Sequence, residues 1–278
     1  MYHWLYSISH ISMELHDYLE ELFAEGGVKL AASIKKWCAG IDYEVQFWSE
    51  WFETKGSRWP ESYARRIKPQ PLGEHLIKLL PPSGPCKVLD VGAGPITIIG
   101  TYVPDRESTF AATDPLARQY AGLMAKFGVT APVVTQFSFA EDLSTRFAPD
   151  EFDLVTSRNA LDHSIEPVWG ILEMLIVCKL GGYVYLNHFE NEAEAEGYEG
   201  FHQWNFTARA GDFIIWNKDR EINITRLLSS IASLESSVDG EKNVKVAIRK
   251  HHHLPIAPLE YQRRLRAGLL ESLISVGA

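Results

Sequence analysis

The amino-acid sequence predicts an α/β fold, in which a mostly parallel sheet carries helices on both faces and follows a helical N-terminal cap. Three observations predict it. Short apolar segments alternate with helical segments from residue 87 onward, an order typical of parallel sheets. The first apolar segment ends directly at Gly92-Ala93-Gly94, and the stiff stretch 81–85, which contains three prolines, precedes it. We therefore expect a helical extension over residues 1–80 and a main domain over residues 81–278.

The extension is expected to be helical because its apolar residues repeat at helical spacing. One helix is predicted over residues 13–40, with an interruption at Gly26-Gly27, and another over residues 75–80. Trp59-Pro60 indicates a turn with proline at the start of a new helix. Five of the eight tryptophans lie in the first 67 residues, which makes this segment unusually aromatic.

The main domain is expected to alternate strands and helices until an insertion interrupts it. The predicted strands are residues 87–91, 109–112, 133–137, 152–157 and 183–187, and the predicted helices between them are residues 116–127 and 168–178. Residues 188–225 form the expected insertion: a glutamate-rich stretch is followed by a hairpin of residues 213–216 and 222–225. A helix near 227–234, a strand over 244–248 and a terminal helix near 259–275 complete the prediction.

The composition is that of an ordinary globular protein. Of the 278 residues, 46% are apolar and 23% are charged, so the chain can bury a large core without disulfides or metals. Three widely spaced cysteines predict reduced thiols and a cytoplasmic location. The formal charge of −9 disfavours nucleic acid or an anionic membrane as a partner.

Neither a signal peptide nor a membrane span is expected. The first ten residues lack a basic region followed by an apolar one. The most apolar stretch, residues 168–180, is interrupted by Glu173 and Lys179. The uninterrupted apolar runs that remain are too short to cross a bilayer.

The strongest motif follows the first predicted strand, where Asp90 precedes Gly92 and Gly94. Glycines at such a position let the backbone turn sharply and approach a ligand closely, and a following helix would offer free N–H groups. A dinucleotide fingerprint would have a third glycine where this chain has Thr97. The Asp90 carboxylate would repel a pyrophosphate but suits a ligand with a cationic end. The alternative is that Asp90 caps the next helix.

Two further acidic positions follow the next predicted strands. Asp114 lies 24 residues after Asp90, the spacing at which a carboxylate bonds ribose hydroxyls in nucleotide-binding sheets. Glu141 and Asp142 follow the third strand and could receive an adenine amino group. Together these positions indicate a site for a nucleoside that bears an amino acid. Asp114 could instead be a helix cap, and the later pair could be a solvated acidic turn.

In this order, the motifs resemble those of class I S-adenosylmethionine-dependent methyltransferases over about residues 70–190. Residues 90–94 are similar to the family's first motif, residues 152–157 to its fourth strand, and Leu180-Gly181-Gly182 to the turn into its fifth. Pro95-Ile96 departs from the family, because many members have another glycine there. The resemblance implies a Rossmann-like sheet of seven strands with the last antiparallel, S-adenosylmethionine as cofactor and S-adenosylhomocysteine as product. The cofactor contacts that we expect are Asp90, Gly92, Ala93, Gly94, Asp114, Pro115, Glu141, Asp142, Arg158 and Asn159.

Methyl transfer to a hydroxyl needs an aligned acceptor, a dry site and a base. His163 follows the fourth strand and His188 the fifth, and Glu190 could orient or replace the base. Each histidine could also be an ordinary satisfied residue, and Asp162 could be a helix cap. The histidine and glutamate spacing in the insertion matches no metal signature, so no metal is expected.

The expected acceptor walls are aromatic. They comprise Trp48, Trp51, Trp59, His202 and Trp204. The first three either form a lid over a sugar or planar ring or simply anchor the extension to the sheet. The N-terminal pattern faintly resembles methyltransferases of bacterial cell-surface polysaccharides.

The resulting hypothesis is methyl transfer to an oxygen of a small-molecule or sugar-like acceptor. Alternatives are a cofactor-binding subunit without transferase activity and a nicotinamide-dependent enzyme. Asp90 and Thr97 count against the nicotinamide enzyme. The oligomeric state stays open, with a homodimer as one option.

Overall fold

A computed structural model describes residues 13–24, 28–57, 59–254, 262–263 and 265–269. Its strands are β1 Cys86–Val91, β2 Ser108–Asp114, β3 Thr135–Phe137, β4 Phe152–Arg158, β5 Cys178–Phe189, β6 Asn205–Arg209, β7 Asp212–Trp216, β8 Glu221–Asn223, β9 Ala232–Val238 and β10 Asn243–Lys250. Seven of them form one sheet in the order β3-β2-β1-β4-β5-β10-β9. β1 to β5 are parallel, whereas β10 pairs antiparallel with β5 and β9. The predicted seven-stranded, mostly parallel sheet with an antiparallel last strand is confirmed.

The insertion forms a second, antiparallel sheet in the order β6-β7-β8. The predicted hairpin corresponds to β7 and β8, whereas β6 was not expected. The helix predicted near residues 227–234 is wrong apart from its first residue, because a helix ends at Leu227, residues 228–231 form turns and residues 232–238 form β9. β9 lies at the sheet edge and alternates exposed with half-buried residues. Its polar Ser and Glu side chains concealed the strand pattern.

The helices are α1 Met13–Ala24, α2 Val28–Glu53, α3 Pro60–Arg66, α4 Glu74–Ile77, α5 Ala117–Phe127, α6 Pro167–Val177, α7 Glu192–Ala195 and α8 Ile224–Leu227. The expected break at Gly26-Gly27 lies outside the described residues. Of the terminal helix expected near 259–275, residues 262–263 and 265–269 are helical, and the rest lies outside the described part. Among the described residues, no helix combines the length and apolar character that crossing a bilayer requires.

Successive residues of the central strands point to opposite faces of the sheet. On one face, Leu89 and Val155 pack in a large cluster with Trp169 of α6. On the other, Val88 and Leu154 pack with Leu76 of α4. Helices therefore cover both faces, as expected, although the second face is covered mainly by a single turn of helix and coil.

The helix expected directly after the glycine loop is absent, since residues 92–107 form turns, bends and isolated bridges. The β-branched run Ile96 to Ile99 disfavours a helix, and Gly100 has a φ of +126°. N-terminal helices take the missing helix's place. Ile96 is buried against Trp51 and Phe52 of α2, and its carbonyl accepts a 2.8 Å hydrogen bond from Arg66 Nη1 of α3.

The N-terminal helices share the core of the main domain. Leu15 and Trp37 belong to the same buried cluster as α6, and α2 packs against α5. The three cysteines, Cys38, Cys86 and Cys178, are free thiols. The extension is thus continuous in its packing with the sheet.

Candidate functional site

The candidate site lies at the carboxyl ends of β1, β2, β4 and β5. The strand order reverses between β1 and β4, and open parallel sheets bind their ligands at such a switch point. The loops after these strands carry most of the residues singled out from the sequence. Two parts of this edge differ in character, and we call them the glycine-loop half (β1, β2) and the histidine half (β4, β5 and the insertion).

The glycine loop turns tightly against β2. Gly92 and Ala93 both donate their N–H groups to the Thr113 carbonyl, at 2.8 and 3.0 Å. Gly92 and Gly94 have φ values of +70° and +64°, which favour glycine. A Cβ on Gly92 would lie 2.3 Å from the Ala160 Cβ, and one on Gly94 would lie 2.9 Å from the Trp48 ring. Both glycines are therefore required by backbone conformation and by close neighbours.

Asp90 is buried beneath this loop, with 3% of its surface exposed. Its Oδ2 accepts a hydrogen bond from Thr97 Oγ1 at 2.5 Å and its Oδ1 accepts one from Thr156 Oγ1 at 3.1 Å. Burial raises its pKa to about 6, although both hydrogen bonds oppose the shift. Because residues 92–107 contain no helix, the helix-capping alternative for Asp90 does not hold.

Asp114 joins the ends of the first two strands. Its Oδ2 accepts the Gly94 N–H at 3.0 Å and its Oδ1 accepts the Leu116 N–H at 2.8 Å. Burial raises its pKa to about 7, these hydrogen bonds oppose the shift, and the nearby Glu44 carboxylate adds to it. Asp114 thus supports the turn into α5 through Pro115 and also holds the glycine loop.

The carboxylates of Glu141 and Asp142 interact with the start of α6 and with the C-terminal helical residues. Glu141, 1% exposed, accepts the Glu166 N–H at 2.9 Å at the start of α6. Asp142 forms an ion pair with Arg266 at 2.9 Å. Both carboxylates thus have partners within the chain, and their adenine contact stays a prediction.

Arg158 and Asn159 end β4. Arg158 is exposed, and its charge is close enough to oppose the upward shift of the Asp90 pKa. Asn159 has a φ of +46°, an uncommon conformation for a residue with a side chain. Its N–H donates to the Asn187 carbonyl at 3.0 Å, while its own Oδ1 is buried without a hydrogen-bond partner.

Asp162 is the centre of a histidine cluster. Its Oδ2 lies 3.0 Å from His202 Nδ1 and 3.2 Å from His163 Nε2, and its Oδ1 lies 3.8 Å from His188 Nδ1. Burial alone would raise the Asp162 pKa, but the surrounding imidazoles hold it well below its usual range. Sequence reasoning found His163, His188 and His202, but not that Asp162 joins them. The adjacent Asp-His pair after β4 was the available signal.

His188 is 1% exposed and packs edge-on against Phe206, with ring centroids 4.7 Å apart. Burial lowers its pKa, and Asp162 opposes that shift. Neither ring nitrogen has a hydrogen-bond partner among the described residues, and the lowered pKa favours the neutral imidazole. Glu190, in contrast, accepts a 2.6 Å hydrogen bond from Thr207 Oγ1 on β6 and does not join the cluster.

The aromatic residues predicted to contact the acceptor lie in different surroundings. Trp48 lies against Gly94 and donates to Glu44 at 2.7 Å. Trp51 is buried with Phe52 and Ile96, as the anchoring alternative requires, and Trp59 is 53% exposed. Trp204 is buried, and the Arg220 guanidinium lies 4.8 Å from its ring centroid.

Arg66 was missed by sequence reasoning. Its guanidinium lies 5.4 Å from the Trp48 ring centroid and 5.8 Å from that of Trp51. Burial lowers its pKa to about 10, and Asp90 opposes the shift. The arginine pair at residues 65 and 66, in a tryptophan-rich segment, was the only signal.

Comparisons with known proteins return matches among solved structures, whereas no family model and no curated protein matches the chain. The chain is similar to the CurJ carbon methyltransferase, with 16% identity and a TM-score of 0.46 over 63% of this chain and 51% of that one. It is similar to a Burkholderia thailandensis 1,6-didemethyltoxoflavin-N1-methyltransferase with bound S-adenosylhomocysteine, with 17% identity and a TM-score of 0.43 over 77% and 89%. A protein from Listeria monocytogenes, provisionally described as an S-adenosylmethionine-dependent methyltransferase, matches with 15% identity and a TM-score of 0.45 over 64% and 96%. At these identities the likeness concerns the fold.

Proposed function

We propose that this protein is an S-adenosylmethionine-dependent methyltransferase that transfers a methyl group to an oxygen of a small-molecule or sugar-like acceptor. The observation that carries the proposal is the glycine loop at the end of β1, which is held between the buried carboxyl groups of Asp90 and Asp114. A site of this kind suits a nucleoside with a cationic amino-acid end better than a pyrophosphate.

The residues of the glycine-loop half fit the cofactor. The positive φ angles of Gly92 and Gly94 turn the backbone at the end of β1, so the loop can approach a ligand closely. Three side-chain oxygen atoms at the ends of β2 and β4 are buried without a hydrogen-bond partner among the described residues: Thr113 Oγ1, Ser157 Oγ and Asn159 Oδ1. They could offer polar contacts to a ligand. Asp114 would accept the ribose hydroxyls, and Asp90 would face the cationic end. When bound, S-adenosylmethionine supplies an electrophilic methyl group on a sulfonium sulfur.

The histidine half would prepare the acceptor. His188 Nδ1 lies 3.8 Å from Asp162 Oδ1. In the tautomer that carries the proton on Nδ1, Nε2 would take the proton from the acceptor hydroxyl as the new O–CH₃ bond forms and the methyl–sulfur bond of the cofactor breaks. Asp162 would stabilise the resulting imidazolium, because a buried carboxylate favours the charged form of a neighbouring histidine. Such a base contributes about 10²–10⁴-fold to a rate.

The surroundings support a small acceptor. Trp48 of α2 lies against the glycine loop, and the insertion packs over the histidine half through Phe206. Covering elements on both sides would exclude water, which methyl transfer requires. The free thiols and acidic charge are in keeping with a cytoplasmic enzyme that acts on neither nucleic acid nor membranes.

Calorimetry with S-adenosylhomocysteine, run beside a titration with NADH, tests the first half of the proposal. We expect binding of S-adenosylhomocysteine and none of NADH. Absence of S-adenosylhomocysteine binding at millimolar ligand would refute the proposal.

Methyl-labelled cofactor and a panel of hydroxylated, aminated and carbon acceptors test the second half. Transfer to a hydroxyl is the expected result. Transfer confined to nitrogen or carbon would overturn the choice of oxygen, and tight cofactor binding without transfer to any acceptor would favour a non-catalytic subunit.

A further inference from the structure

Three ligand-type atoms in the histidine half form a nearly equilateral triangle. Asp162 Oδ2 lies 3.2 Å from His163 Nε2 and 3.0 Å from His202 Nδ1, and the two imidazole nitrogens lie 3.1 Å apart. The edges thus differ by at most 0.2 Å.

These distances match one face of a metal coordination sphere. Metal bonds of about 2.0–2.2 Å to imidazole and carboxylate place neighbouring ligands about 3 Å apart at right angles and about 3.4 Å apart at tetrahedral angles. The triangle agrees with the first value. Two imidazoles and one carboxylate on a single face leave the remaining positions open, a set typical of non-haem transition-metal sites.

Hydrogen bonds among these three atoms cannot account for all three short distances. Each neutral imidazole carries one N–H, so two protons are available for three edges. If both donate to Asp162 Oδ2, the 3.1 Å approach of His163 Nε2 to His202 Nδ1 has no hydrogen bond. A single cation would interact with all three atoms at once.

The charge balance points the same way. Asp162 is 2% exposed, and its ion-pair partners among the described residues are the imidazoles of His163, His188 and His202. Among the described residues, its Oδ1 is buried without a hydrogen-bond partner, as is Oε2 of Glu192. Burial alone would lower the pKa of His202, but the carboxylates of Asp162 and Glu192 raise it, so the cluster favours positive charge. Buried carboxylates need a positive partner, and a divalent cation within the triangle would supply one.

Backbone hydrogen bonds and ring packing fix the positions of the three residues of the triangle. Asp162 and His163 lie in a 3₁₀ turn, Leu161–His163. The Asp162 carbonyl accepts the N–H groups of Gln203 and Trp204 at 3.1 and 3.2 Å, which fixes the insertion beside His202. Phe201 stacks on Trp37, with centroids 5.0 Å apart and an interplanar angle of 8°. Ligands positioned before binding lower the cost of taking up a metal.

We propose that Asp162, His163 and His202 bind one divalent first-row transition-metal ion, and that its open positions face the acceptor. This reverses the expectation, drawn from residue spacing, that the chain binds no metal. Nitrogen ligands favour ions such as Zn²⁺, Mn²⁺ or Co²⁺ over Mg²⁺. His188, beyond Asp162 Oδ1, would orient the carboxylate as an outer partner. The proposal of metal binding depends only on the geometry of the triangle. The proposal that the metal binds an acceptor hydroxyl rests on the proposed function.

The test uses full-length, tag-free protein that has been stripped with a chelator. Calorimetry and elemental analysis with Zn²⁺ and with Mg²⁺ should give one tight Zn²⁺ per chain and much weaker Mg²⁺ binding. His163→Ala and His202→Ala should each weaken Zn²⁺ binding about 100-fold or more, an effect at the upper end of those seen at metal sites. The exposed His252→Ala is the matched control, and it should bind like the unmodified protein.

The adjacent run His251-His252-His253 is the main competing source of metal binding. Replacing all three with alanine should leave the tight Zn²⁺ equivalent in place, and its loss would overturn the proposal. So would unchanged Zn²⁺ binding in the His163→Ala and His202→Ala variants. If those variants fail to fold, Co²⁺ should be added to the protein in which residues 251–253 are alanine. It should shift the ring-proton resonances of the histidines in and beside the triangle, and the absence of any shifted histidine resonance contradicts the proposal.

S-adenosylhomocysteine titrations of the same samples separate this proposal from the proposed function. Zn²⁺ binding without S-adenosylhomocysteine binding would retain the metal site and refute the methyltransferase. S-adenosylhomocysteine binding without tight binding of one Zn²⁺ per chain would refute the metal site and retain the proposed cofactor site.

Discussion

The glycine-loop half and the histidine half of the site treat their buried polar groups in opposite ways. Asp90 and Asp114 each accept two hydrogen bonds from the chain itself. In the histidine half, Asp162 Oδ1 and both ring nitrogens of His188 are buried without such partners. An unsatisfied buried polar group costs about 1–3 kcal/mol. The comparison indicates that the two carboxyl groups of the first half are already satisfied within the fold, whereas the central carboxylate and the His188 imidazole of the second half are not.

The largest expected effect is that of His188→Gln, which should lower turnover without lowering cofactor affinity. The amide keeps a polar side chain but cannot take up a proton, so turnover should fall by about 10²–10⁴-fold while S-adenosylhomocysteine affinity changes little. Steady-state rates with an acceptor from the panel and calorimetry measure the two quantities. His252→Gln, on the surface, is the control. Full turnover in His188→Gln would remove the base from the mechanism.

Gly92→Ala should damage the glycine-loop half instead. A Cβ there meets Ala160 at 2.3 Å, and the φ of +70° disfavours alanine. We expect a loss of about 1–3 kcal/mol in the free energy of unfolding and a large loss of S-adenosylhomocysteine affinity, measured by urea denaturation and calorimetry. Gly122→Ala, in open space on α5, should instead stabilise by about 0.5–1 kcal/mol. Equal effects of both substitutions would show that the close approach does not matter.

The pKa of Asp114 gives a pH signature to the same half. Its pKa is about 7 in the free protein, and only the carboxylate accepts hydrogen bonds at both oxygens. S-adenosylhomocysteine affinity should therefore fall as the pH drops from 8 to 6, by up to about tenfold per unit below the pKa. Asp114→Asn should bind about tenfold more weakly at pH 8 and lose the dependence near pH 7, leaving a weaker one near pH 6 from Asp90. A pH-independent affinity in the unmodified protein would contradict this role.

The smallest expected effect concerns the cover over the glycine loop. Because Trp48 lies against Gly94, S-adenosylhomocysteine should change the tryptophan emission of the protein. Trp48→Phe should abolish most of that change and alter affinity only a few-fold. Trp59→Phe, at an exposed position, should preserve it. The reverse pattern would place the cover elsewhere.

Residues near one another in sequence were the ones that sequence reasoning placed correctly. Asp90, Gly92 and Gly94 form one local motif after a strongly apolar strand, so the glycine loop followed from the pattern, and the alternation of strands and helices predicted the parallel sheet. Asp162 contacts His202, which lies 40 positions later in the insertion. No periodicity in the sequence predicts such a contact. The same limit explains β9, whose edge position allows a polar sequence, and Asp142, whose partner Arg266 lies in the last helical residues.

The helix that is missing after the glycine loop has a consequence for how the protein forms. Arg66 and Trp51 contact Ile96 from positions 30 and 45 residues earlier in the chain, so the folded loop is supported by a distant part of the chain. Non-local contacts of this kind slow folding. During synthesis, the N-terminal helices would wait for their partner until β1 and its loop have emerged. A shortened chain that begins at the proline-rich linker would thus contain the glycine motif without the scaffold that shapes it.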